Sequence, residues 1–226
     1  MSGGRSGGER TGGAPPRIVV LASGNGSNLQ ALLDAAADRR LDGDVVAVVS
    51  DQSTARALNR AREAEVAAVA LPRAEGESRV DYDERLAEAV AGHAPDLVVL
   101  AGWMRILTMS FLGRFPVINL HPALPGAFAG THAIQRAFAA WQAGEIDHSG
   151  VMVHWVPDEG VDTGPPIAVT RVDFVDGDSL DSFEERIHRT EHRLLVRAVD
   201  LALVELATDS SPVSFRSRNQ LQPRNC

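Results

Sequence analysis

Apolar positions along this chain alternate between two arrangements. Arg17-Ile-Val-Val-Leu-Ala22 is a continuous apolar run closed by Ser-Gly, the pattern of a strand buried on both faces. Beyond it Leu29, Leu32, Leu33 and Ala36 recur at i, i+3, i+4 and i+7, one face of a helix. Residues 45–49 repeat the strand pattern and 55–65 the helical one. Residues 67–71 give a weaker strand, 81–92 a helix, 96–100 a strand and 117–119 a short strand. The pattern then predicts a helix over 132–143, strands over 149–156 and 167–172, and a long helix over 180–206. In that helix Phe183, Ile187, Thr190, Leu194, Ala198 and Leu201 step by three or four.

This rhythm predicts an α/β fold: a doubly wound, mostly parallel sheet with helices on both faces. Ligands of such sheets sit at the carboxyl ends of the strands, where the chemically interesting residues of this chain cluster. The first 16 residues hold six glycines and almost no aliphatic side chains, the composition of a disordered leader. The polar segment 207–226 reads as a flexible tail. Residues 17–206 are expected to form a single domain.

Composition narrows the function. A net charge of −8 forecasts no basic face, so no nucleic-acid partner is expected. All 22 basic residues are arginine. Without lysine there is no Walker P-loop and no Schiff-base chemistry. The only cysteine is Cys226, which leaves no disulfide frame and no thiolate metal cage. No apolar run approaches the roughly 18–20 residues of a membrane span. A cytoplasmic protein without a membrane partner and without a metal is expected.

Three segments carry candidate chemistry. Ser23-Gly-Asn-Gly-Ser-Asn28 joins the first strand to the first helix. Gly24 and Gly26 permit backbone geometries that other residues resist, and Ser27 or Asn28 occupies the expected N-cap, leaving N–H groups free for an anion. A phosphate, a dinucleotide with Asp51 reading a ribose, or a plain tight turn all remain open from this loop alone. Against the dinucleotide fingerprint, Leu29 stands at the third glycine position. Asn119-Leu-His-Pro122 ends a strand, so Asn119 and His121 share one side at the sheet edge. His can move protons near neutral pH and Asn can donate to an oxyanion. Asp158-Glu-Gly-Val-Asp-Thr-Gly-Pro165 is a turn-rich loop whose carboxylates could face His121 or simply be solvated.

Taken in order, S-G-N-G-S-N, A-G-W-M-R-I-L, N-L-H-P and D-E-G-V-D-T-G-P resemble the folate-dependent formyltransferases over residues 17–205. The branch most similar acts on phosphoribosylglycinamide (GAR). The resemblance implies transfer of formyl from 10-formyltetrahydrofolate to the glycinamide amine, without a metal, in a monomer or homodimer. It implies catalytic roles for Asn119, His121 and Asp162. It assigns the substrate phosphate and ribose to Asn25, Gly26, Ser27, Asn28 and Glu191. The folate site would comprise Arg79, Trp103, Met104, Arg105, Ile106, Leu107 and Asn119. An attached carboxylate at Asp162 is expected to hold the His121 imidazole above its ordinary pKa of about 6.5.

Two departures from the family pattern bear on loop geometry. Ala123-Leu-Pro-Gly-Ala-Phe-Ala-Gly130 lacks a second Leu before Pro and a Pro before its last Gly, and the stretch from His154 to Asp162 is one residue longer than usual. Alternatives are a formyltetrahydrofolate deformylase, a methionyl-tRNA formyltransferase, or a catalytically silent nucleotide-binding module. The first normally carries a preceding regulatory domain and the second a following tRNA domain, and neither is expected here.

Overall fold

The computed structural model describes residues 14–208. In chain order it contains β1 (Arg17–Leu21), α1 (Ser27–Ala37), β2 (Asp44–Ser50), α2 (Arg56–Glu63), β3 (Ala67–Ala70), α3 (Arg79–Ala91) and β4 (Leu97–Leu100). There follow α4 (Met109–Leu112), β5 (Val117–His121), α5 (Ala133–Gln142), β6 (His148–Trp155), β7 (Pro166–Asp173) and α6 (Leu180–Thr208). The seven strands form one sheet in the order β3-β2-β1-β4-β5-β6-β7. The first five are mutually parallel, and β6 and β7 run antiparallel.

The central strands are apolar on both faces because each face has its own core. In β1 the side chains of Ile18 and Val20 join a cluster with α1, α2, α5 and α6, while Val19 and Leu21 join a second cluster with α3 and α4. Each fully buried Val, Leu or Ile is worth about 1.5–3 kcal/mol relative to exposure, so the alternation pins the strand register. Helix starts are fixed locally. The Ser78 side chain accepts from the Asp81 N–H at 3.1 Å, which sets Arg79 at the first turn of α3. Ser179 and Ser182 exchange hydrogen bonds of 3.1 and 3.2 Å at the start of α6.

Most elements fall where the periodicity puts them. The four-residue α4 was not anticipated, being too short for a helical repeat to register in sequence. The run 117–119 extends through His121, so Asn119 and His121 are themselves strand residues. Helix α6 continues through Ala207 and Thr208, past the expected start of the tail. Residues 1–13 of the expected leader and 209–226 of the tail lie outside the described residues. Within the described part of the leader, Pro16 accepts a hydrogen bond from the Asp44 N–H at 2.8 Å. No helix among the described residues is long and apolar enough to cross a membrane.

Candidate active site

The strand order puts the carboxyl ends of β1, β4 and β5 side by side; the glycine loop, the 101–107 stretch and the Asn119–His121 pair stand at these ends, and the 158–165 loop, which follows β6, reaches back to the last of them. After β1 the chain enters the glycine loop. Gly26, not Ser27 or Asn28, is the N-cap of α1; it has φ 74° and no side chain caps the helix. The exposed N–H groups of the first turn therefore stay available to an anion. Packing demands the glycine as well, since a β-carbon here would stand 2.8 Å from the Ala57 Cβ. Arg60 of α2 braces the loop from outside, donating to the Asn25 carbonyl oxygen at 2.9 Å and to Gln30 at 2.9 Å.

Glu191 reaches this loop from α6. It is only 5% exposed and accepts from Asn28 Nδ2 at 3.3 Å. Burial pushes its carboxyl above the usual range, against the opposing influence of His188 and the Asn28 hydrogen bond. Asn28 Oδ1 is buried without a hydrogen-bond partner among the described residues. A buried carboxylate and an orphan amide oxygen beside free helix N–H groups form a polar socket suited to hydroxyls next to a phosphate.

The stretch after β4 wraps over the glycine loop. Gly102 accepts from the Ser23 N–H at 3.0 Å, and Ser23 Oγ accepts from the Met104 N–H at 3.0 Å. Its side chains divide sharply. Trp103 and Leu107 are buried in the core beneath α3 and α4, whereas Met104 and Ile106 are half or more exposed. The Arg105 guanidinium turns away to Asp51 at 3.4 Å and lies 4.9 Å from the Tyr82 ring centre. Asp51, the residue a dinucleotide would need for its ribose, is thus engaged by Arg105. Arg79 donates to the Ile106 carbonyl oxygen at 3.3 Å and pairs with Glu159 at 3.2 Å. Glu159, on the loop that carries Asp162, thereby ties that loop to the 101–107 stretch.

At the end of β5, Asn119 and His121 meet Asp162. Asn119 Nδ2 donates to Asp162 Oδ1 at 2.9 Å, and His121 Nδ1 lies 3.2 Å from Asp162 Oδ2. The Gly130 N–H donates to the same Oδ2 at 2.8 Å. The longer stretch from His154 thus still delivers Asp162, through a left-handed backbone at φ 54°. Asp162 is partly buried, which raises its pKa, but the close contact with His154, the hydrogen bond from Gly130 and the charge of the nearby imidazoles outweigh this and hold it low.

His154 is the neighbour that sequence reasoning missed. It faces Asn119 directly across the β5–β6 pair, with its Nε2 3.2 Å from Asn119 Nδ2 and 3.5 Å from Asp162 Oδ1. Only the antiparallel pairing of β6 reveals this; alternation along one strand cannot. His154 Nδ1 donates to the Trp155 carbonyl oxygen at 2.8 Å, so a neutral ring offers its Nε2 lone pair to Asn119; both N–H bonds of the amide are then engaged, and an incoming oxyanion must displace one of them.

The expected rise of the His121 pKa is reversed. Burial dominates and lowers it, although Asp162 and the nearby carbonyls of Ala127 and Phe128 push the other way. Desolvation of a 3% exposed imidazole outweighs one carboxylate at 3.2 Å. His121 Nε2 is buried without a hydrogen-bond partner among the described residues. The resting site therefore holds a neutral imidazole, one nitrogen on Asp162 and the other free. Among the described residues no group of three or more His, Cys, Asp or Glu side chains is arranged to hold a metal ion.

Residues 16–199 match the family model described as Formyl transferase. The chain is 45% identical over 196 residues to the phosphoribosylglycinamide formyltransferase of Schizosaccharomyces pombe, covering 80% of this chain and 94% of the relative. It is 47% identical over 192 residues to the protein of the same name from Mycobacterium tuberculosis, covering 82% and 84%. Among solved structures, glycinamide ribonucleotide transformylase 1 from Symbiobacterium toebii superposes with a TM-score of 0.80 at 39% identity, over 88% of this chain and 94% of that one.

Proposed function

This chain belongs to the formyl transferase family, and from that premise we propose that it moves formyl from 10-formyltetrahydrofolate to the amine of GAR in purine synthesis. The observation that carries the reading is the Asn119–Asp162–His121 cluster at the end of β5, beside the 101–107 stretch that follows β4 and, beyond it, the glycine loop that follows β1. The glycine loop (Asn25, Gly26, Ser27, Asn28) takes the phosphate and Glu191 the ribose hydroxyls. Met104 and Ile106 offer exposed apolar surface to the folate. Trp103 and Leu107 support that surface from the core, and Arg79 and Arg105 fix its backbone and flank.

One proton must leave the attacking amine and one must reach the folate nitrogen as the carbon–nitrogen bond breaks. Asp162 only accepts hydrogen bonds when ionised, so it keeps the His121 proton on Nδ1 and leaves a lone pair on Nε2. That nitrogen takes the amine proton, Asp162 stabilises the imidazolium so formed, and the same proton passes to the folate nitrogen. Meanwhile the tetrahedral oxyanion draws an Asn119 N–H away from its longer contact with His154.

All of these groups come from one chain, which supports a monomer or a homodimer of independent sites, and a single cysteine at Cys226 suits a reducing compartment such as the cytoplasm. Mixing the protein with 10-formyltetrahydrofolate and GAR tests the reading: folate absorbance should change in step with formation of formyl-GAR. Release of formate without formyl-GAR would instead mark a deformylase.

A further inference from the structure

We propose that the groove between α1 and α6 is an electrostatic approach ramp that collects the phosphorylated substrate and feeds it to the glycine loop. This inference rests on the reading above. The groove has a volume of about 850 Å³ and begins at Ser27, the first helical residue after Gly26. Its walls carry four guanidiniums, from Arg40, Arg60, Arg193 and Arg197, of which Arg40 is already paired with Asp38 at 3.0 Å, against two carboxylates, Asp34 and Asp200.

The arrangement is directional. Asn28 contacts Glu191 at one end, and the Asp42 N–H donates to Asp200 near the other, so α1 and α6 run side by side in the same sense. Arg60 stands at the loop end, where it already holds Asn25. Arg193 and Arg197 follow, one helical turn apart, and Arg40 lies beyond the end of α1. The carboxylates are partly occupied: Asp34 accepts from Gln30 at 2.8 Å and Asp200 accepts the Asp42 N–H at 2.9 Å. Arg193 and Arg197 are exposed and make no ion pair or hydrogen bond among the described residues.

The chemistry explains why such a row is useful here. The whole chain carries −8, so its far field repels a phosphate monoester. A local excess of guanidiniums ending at free helix N–H groups reverses that field where the substrate must enter. Unpaired arginines are the part of the row free to act on a passing anion, while Arg60 serves the loop itself.

Magnitudes set the test. An arginine about 10 Å from a dianion, on the scale of two helical turns, raises its local concentration roughly threefold when the Debye length is ~30 Å, and about 1.5-fold when it is ~8 Å. Neutralising both Arg193 and Arg197 to Gln should therefore lower kcat/KM for GAR about 5–10-fold at 10 mM salt and about twofold at 150 mM. Reversing both to Glu should roughly square each factor. In all variants kcat should stay unchanged and the losses should shrink steadily with salt. Ribose 5-phosphate affinity, followed by calorimetry through the same salt series, gives a readout independent of turnover. A parallel, graded loss in both measurements supports the ramp. Equal losses at every ionic strength, a fall in kcat, or no change at low salt overturns it. Absence of GAR turnover in the unaltered protein would remove the proposed function, while the calorimetric series still decides whether the groove collects phosphate.

Discussion

Gly164 runs so close to Trp155 that a β-carbon on it would stand 1.7 Å from the Trp155 carbonyl oxygen. The same crossing is closed by the Trp155 N–H donating to the Pro165 carbonyl oxygen at 3.0 Å. This is how the long loop after β6 is folded back tightly enough to bring Asp162 to His121. Gly160 helps by donating its N–H to Asp158 Oδ1 at 2.8 Å, a local turn that takes up length.

Gly164→Ala should therefore act on the loop that carries Asp162. No side chain can yield here, because the obstacle is backbone, so the loop must move. We expect kcat to fall about a hundredfold or more, with a stability loss of about 1–3 kcal/mol, the range for overpacking. Steady-state kinetics beside a thermal melt checks this. A variant with normal kcat would show that the position of Asp162 does not depend on this crossing.

The sequence reveals the frame more readily than the site, and the reason is physical. Burial on both sides of a parallel strand leaves a continuous apolar signature, as in β1, and a helix facing a sheet leaves a 3.6-residue one, as in α6. Asn119 and His121 were legible because alternation along a single strand puts them on one side. The His154 contact was not, because it depends on which strand pairs with β5 and in which direction. Nor was the His121 pKa, since a motif names the carboxylate but says nothing of how much water the fold removes. Arg60 was silent for a similar reason: its role comes from α2 packing against the glycine loop, 35 positions away.

The pH profile should bear the mark of burial. A base with a lowered pKa is neutral over most of the working range and becomes protonated only on acidification, so kcat/KM should fall on an acid limb with a midpoint below about 6.5. Asp162→Asn removes an influence that raises the His121 pKa, and that limb should move lower still. The same change should cut kcat by roughly 10²–10⁴. In a double-mutant cycle with His121→Asn, the combined loss should be much smaller than the product of the single losses. NMR titration of the His121 ring and kinetics across pH check both. A midpoint that rises in Asp162→Asn would sink the account.

The glycine loop makes a sharper prediction for binding than for chemistry. Gly26→Ala adds a β-carbon 2.8 Å from the Ala57 Cβ and 2.9 Å from its Cα, at a φ of 74° that disfavours side chains. The loop should shift and its N–H groups should lose their common aim. The KM for GAR should rise about tenfold, the scale of one charge-assisted hydrogen bond, while kcat at saturation changes little. Initial-rate kinetics over a wide GAR range decides between this and a merely structural glycine, which would leave KM alone.

Glu191 should show stability and function pulling in opposite directions. Its carboxyl sits 5% exposed at the edge of the α1–α6 contact, and burial raises its pKa above the usual 4.5. The folded protein then binds this proton more tightly than the unfolded chain does. Stability contributed by the protonated form is fully present below about pH 4.5 and is lost as pH rises through the folded pKa. Above the folded pKa the ionised, buried group is therefore a net cost to folding, which the proposed ribose hydroxyls would offset by donating to it. Glu191→Gln keeps the size and an oxygen to accept from Asn28, and removes the charge. We expect it to stabilise the fold at pH 7 by about 1 kcal/mol, within the usual range for relieving a functional strain. The gain should vanish near pH 4, where the native carboxyl is also neutral. The KM for GAR should meanwhile rise at least tenfold, since a hydrogen bond to a charged acceptor is replaced by one to a neutral amide. Urea melts at pH 4 and pH 7, run beside GAR kinetics, test both halves. A variant that is less stable at pH 7 than at pH 4 relative to wild type would mean that the ionised Glu191 supports the fold.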